Sequence, residues 1–79
     1  MAVLLGSIKS KYDALDYFHQ SVLNQMKNDI KKESTSKLRL SYKNLKGAYD
    51  KFRLKARKLD NLYNEAQRMI ILQEIKSRK

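Results

Sequence analysis

From Ile8 the apolar positions recur as Ile8, Tyr12, Leu15, Phe18, Val22, Met26 and Ile30, in steps of three or four with Leu23 beside them. That spacing keeps returning to one side of a helix, so it predicts a first helix over residues 7–32. Ser7 sits where a side-chain oxygen can accept an early helical N–H, and residues 1–6 form an apolar leader before it. The run Glu33, Ser34, Thr35, Ser36 has no apolar residue and gathers side chains that compete for backbone hydrogen bonds. It predicts a connector over 33–36, with Ser34 or Ser36 as the next cap.

The second half carries the stricter pattern. Leu38, Tyr42, Leu45, Tyr49, Phe52, Ala56, Leu59, Tyr63, Ala66 and Ile70 alternate steps of four and three, a heptad run that predicts one helix over 37–78. Ala48, Leu62 and Met69 widen the stripe beyond a two-stranded seam, towards a hairpin or bundle. Gly47 falls on the outward side, where it weakens the helix by about 1 kcal/mol relative to Ala. A helix over 7–32 spans about 39 Å and one over 37–78 about 63 Å at 1.5 Å per residue. A four-residue connector makes them antiparallel, so the longer one overhangs from about Tyr63 and leaves Met69, Ile70, Ile71, Leu72 and Ile75 without cover.

The expected architecture is therefore all-α, a single domain over 1–79 built as an antiparallel helical hairpin with a longer second helix that dimerises into a bundle. Its alternative is a monomeric three-helix bundle with a break near residue 60, at Asp60 and Asn61. Heptad phase that continues through Leu59, Tyr63, Ala66 and Ile70 favours the unbroken helix.

Composition narrows the chemistry. The 79 residues include no Cys, one His, no Pro and Gly only at 6 and 47, which suits helices and leaves no thiolate, disulfide or multi-histidine metal site. No cofactor and no small-molecule substrate are expected. The start of the chain has five apolar residues before Gly6 and no leading positive charge, unlike a signal peptide or a membrane span, so a cytoplasmic or host-cell interior location is expected.

Charge changes the picture more. The formal net charge is +10, and residues 37–58 hold nine Lys and Arg against Asp50 alone. In the heptad frame, Lys43, Lys46, Lys51, Arg53, Arg57 and Lys58 lie away from the apolar stripe, a candidate surface for nucleic acid or an acidic protein. Membrane binding is not expected, because the opposite side of that helix is needed for packing. Tyr42, Tyr49 and Tyr63 share one seam position and read as packed rings with hydroxyls at the rim. His19 lacks companions for metal or triad chemistry and reads as a packed or rim histidine. Asp13 and Asp16 beside Lys9 read as helix surface, so no enzyme is expected.

Two functions fit. In the first, the chain is a non-enzymatic helical adaptor or regulator that forms a homodimer through Leu62, Tyr63, Met69, Ile70, Leu72 and Ile75 and offers its basic flank to an acidic partner. The alternative is a nucleic-acid-binding protein of low sequence specificity that contacts the phosphate backbone through residues 37–58. The first is favoured, because an apolar tip in water requires a partner while a basic stripe only permits one.

Overall fold

Asp16 sets the start of the first helix in the computed structural model, which describes residues 12–78. Its backbone is extended and its carboxylate accepts the His19 backbone N–H at 2.9 Å, satisfying a donor that the first helical turn leaves orphaned. Helix α1 (Tyr17–Asp29) follows and closes in the 3-10 turn Ile30–Lys32. The helix expected over 7–32 thus starts no earlier than residue 17 as one unbroken piece. A tight turn with Leu15 N–H donating to the Tyr12 carbonyl at 3.1 Å precedes it and brings Leu15 into the core. The Ser7 cap and the 1–6 leader lie outside the described residues.

Of the two candidate caps in the connector, Ser34 is the one used: its hydroxyl accepts the Lys37 N–H at 3.2 Å and starts helix α2 (Thr35–Phe52). The single helix expected over 37–78 is not formed. Helix α2 ends at Phe52, and helix α3 occupies Lys58–Ser77. Between them the Phe52 carbonyl accepts the N–H groups of Lys55 and Ala56, at 2.9 and 2.8 Å, and Arg57 is extended (φ −67°, ψ 153°). Asn61 then reaches back across the turn, its side-chain amide donating to the Arg53 carbonyl at 2.9 Å. The molecule measures 34 Å along its longest principal axis. A continuous helix over 37–78 would need about 63 Å.

Two physical effects favour the break. Folding back buries Ala66, Ile70, Ile71 and Ile75 to between 0 and 8 % exposure. At roughly 1.5–3 kcal/mol for each large aliphatic side chain buried, this outweighs a few helical hydrogen bonds lost in the turn at about 1 kcal/mol each. Like charges at Lys51 and Lys55, and at Arg53 and Arg57, also stand four residues apart and weaken a helix at that point. The break falls at 53–57, about one turn earlier than Asp60 and Asn61, which instead open α3.

Bonds at the helix ends fix the topology. At the close of α3, Arg78 donates to the Ile30 and Lys31 carbonyls at 3.0 and 3.3 Å and to the Thr35 hydroxyl at 3.1 Å. At the other end the His19 ring packs on Tyr63, 4.6 Å between centroids. Helices α1 and α3 therefore run the same way and α2 runs opposite, in an all-α three-helix bundle with no strand among the described residues. The core is Leu15, Leu23, Ile30, Leu38, Ala66, Ile70, Ile71 and Ile75, half of it from α3. Tyr12, Met26, Tyr42, Leu45, Leu59, Leu62 and Tyr63 pack around it. Asn64 ties α3 to α2 through the Leu45 carbonyl at 2.9 Å, and the Arg68 guanidinium covers the Tyr49 ring at 4.6 Å.

Candidate functional site

Of the six residues expected to form a self-association surface, Ile70, Ile75, Leu62 and Tyr63 belong to the core or pack against it, while Met69 and Leu72 line a shallow groove with Tyr42 and Arg68. Ile70 and Ile75 are buried, and Leu62, Tyr63, Met69 and Leu72 are half-buried. The overhanging tip that argued for a homodimer does not exist, because the turn at 53–57 lays it against α1 and α2.

The basic residues have the opposite fate. Lys43 and Lys46 stand on the outer flank of α2, Lys51 near its end, Arg53 in the turn, and Arg57 and Lys58 at the start of α3; all six are exposed. Lys46 meets Asp50 at 3.2 Å and Arg57 meets Asp60 at 3.2 Å, both on the open surface. The Lys51 ammonium lies 5.2 Å from the centre of the Phe52 ring. No ion pair is formed by Lys43, Arg53 or Lys58 among the described residues. The set is brought together only in part: Lys51, Arg53, Arg57 and Lys58 crowd one corner, while Lys43 and Lys46 extend the charge along α2.

Sequence periodicity missed several members of this corner. Lys55 also stands exposed in the turn. Phe52 and Phe18 carry the spacing of stripe residues, yet they are 50 % and 70 % exposed. Leu54 is 93 % exposed and Tyr17 84 %. An apolar residue at the outward heptad position, as Leu54 is, was the one signal of this in the sequence.

Asp16 and His19 border the same end. The His19 Nδ1 lies 2.6 Å from the Asp16 carboxylate, and the ring is edge-on to both Phe18 and Tyr63. The backbone bond from His19, then its side-chain bond, hold the Asp16 carboxyl below its usual 3.8, with a smaller contribution from nearby Arg57. Burial pushes the Tyr63 hydroxyl above its usual 10.0. Among the described residues no three His, Asp or Glu side chains gather as a metal site, and no helix is long and apolar enough to cross a membrane. A shallow groove of about 360 Å³ between α1 and α2, walled by Met26, Ile30, Leu38, Leu45 and Ile71, has Glu33 as its only titratable side chain. No protein-family profile matches the sequence, and no curated protein or solved structure is significantly similar to it.

Proposed function

We propose that this chain is a non-enzymatic nucleic-acid-binding protein that contacts the phosphate backbone with little sequence preference, in the cytoplasm or the interior of a host cell. Lys43, Lys46, Lys51, Arg53, Arg57 and Lys58 are the contacting residues. The observation that carries the reading is that all six cations are exposed and play a small part in folding. Surface pairs such as Lys46 with Asp50 and Arg57 with Asp60 contribute about 0–1 kcal/mol and can be exchanged for phosphate.

The adaptor reading leaned on the apolar tip, which is core, so the balance moves to the electrostatic surface. A linear series of phosphates suits a strip of long basic side chains without demanding a shaped cleft. Base-edge readout has no support, since Asn61 and Asn64, the two asparagines at the start of α3, are committed to backbone carbonyls.

Fluorescence anisotropy with labelled mixed-sequence DNA and RNA at about 50 mM salt tests the reading, since phosphate-driven association is strong there. Binding that weakens steeply with added salt is expected, and Arg53→Glu or Arg57→Glu should weaken it without loss of helical circular dichroism. No binding to either nucleic acid ends the proposal. Binding only to an acidic protein would restore the adaptor function.

A further inference from the structure

Five large apolar side chains are exposed among the described residues: Tyr17, Phe18, Leu40, Phe52 and Leu54. Four of them stand at one end of the bundle. Tyr17 and Phe18 begin α1, and Phe52 and Leu54 flank the turn that ends α2. The ends of these helices are held together by the His19 ring on Tyr63 and by the Asn61 bond to the Arg53 carbonyl. The same end holds Lys51, Arg53, Lys55, Arg57 and Lys58. Among the nearby carboxylates, Asp16 meets His19, Asp50 meets Lys46 and Asp60 meets Arg57.

Three of the four exposed apolar groups are rings, and this decides the kind of anion. A duplex turns its phosphates outward but hides the faces of its bases, so it offers such rings nothing to cover them. A single strand offers both a phosphate chain and open base faces, and stacking is tolerant of sequence because every base has a π-face. An anionic lipid surface can also take up such rings, but it is best met by an apolar face running along a helix, and these four side chains stand at the ends of two helices. The Lys51 ammonium beside the Phe52 ring already pairs a phosphate-binding cation with a stacking face.

Resting on the phosphate-binding reading above, we infer that this end of the bundle is a platform for single-stranded nucleic acid, with bases stacking on Phe52 and Phe18 and phosphates held by the corner cations. Tyr17 extends the platform, and Leu54 packs against sugar edges.

Three probes test this with the whole chain: a labelled single strand of about 12 nucleotides, within the span that small single-strand binders cover, a hairpin duplex of equal phosphate number, and phosphatidylglycerol vesicles. Phe52→Leu and Phe18→Leu keep apolar bulk and remove the ring at exposed positions, and circular dichroism verifies that each folds. The expected result is tighter binding of the single strand than of the duplex. Each ring variant should lose about fivefold or more in single-strand affinity while duplex affinity stays level. Equal binding of both nucleic acids with no effect of either variant overturns the platform and leaves phosphate binding standing. No binding of either nucleic acid removes both. Vesicle binding that disappears in Leu54→Ser, with no preference for single strands, overturns the platform in favour of a lipid surface.

Discussion

The two ends of this bundle treat their cations in opposite ways. At one end Arg78 forms a clip: its guanidinium meets Glu74 at 3.0 Å and donates to the Ile30 and Lys31 carbonyls and the Thr35 hydroxyl, joining three helices. These carbonyls close α1 and its 3-10 turn, where a cation also complements the helix dipole. At the other end Lys51, Arg53, Lys55, Arg57 and Lys58 stand in water beside exposed rings, and the joining is done by the Asn61 amide and by the His19 ring on Tyr63. A cation that the fold uses is satisfied by carbonyls and half-hidden. Cations that the fold does not use remain available to something else.

The largest test of this contrast lies between the ends, in the core that both depend on. Ile70→Ala is expected to cost about 2–5 kcal/mol in urea unfolding, as for a buried aliphatic residue. A much smaller cost would mean that α3 stands away from the other helices. Next, Arg78→Ala should lower stability by about 1–2 kcal/mol by releasing the carbonyls, and leave oligonucleotide binding unchanged. Arg53→Ala should do the reverse, shifting stability by less than about 0.5 kcal/mol while weakening binding and flattening its salt dependence by about one phosphate contact. If the two variants behave alike, the ends do not differ as described.

A smaller gain is expected on the flank. Gly47 is helical, and a Cβ there meets nothing within 4 Å. Gly47→Ala should raise stability by about 1 kcal/mol, read from thermal unfolding, and leave binding as it was. The smallest effect concerns pH. Because the Asp16 carboxyl titrates below its usual 3.8 in the folded chain, its contribution is full above that value and disappears as the pH falls through the lowered one. Asp16→Asn keeps a capping acceptor but not the charge, so it should lower stability slightly near neutral pH, match the parent in acid and flatten this part of the acid-unfolding curve.

Much of the fold was legible because periodicity records which residues face a core. Leu38, Tyr42 and Leu45 face it from α2, and Leu59, Tyr63, Ala66 and Ile70 face it from α3. The turn was hidden because the same heptad phase continues on both sides of it, with neither Gly nor Pro to mark residues 53–57. A side chain packed on a facing helix and one packed on its own chain after a turn obey the same spacing. Only the unburied apolar tip, which a straight helix would leave in water, signalled that something must cover it, and the cover is α1 and α2 of the same chain. The basic residues were legible as a group by composition. Their company was not, since Phe18 and Phe52 carry the spacing of core residues and yet stand at helix ends where no helix faces them.

Backbone amide shifts recorded while a single-stranded oligonucleotide is added to the intact protein compare the two ends in one experiment. Perturbations should gather at Tyr17, Phe18, Lys43, Lys46 and residues 51–58, with Ile30, Thr35 and Arg78 unmoved. Shifts centred on the Arg78 end, or none anywhere at low salt, would show that the exposed cations and rings are not a binding surface.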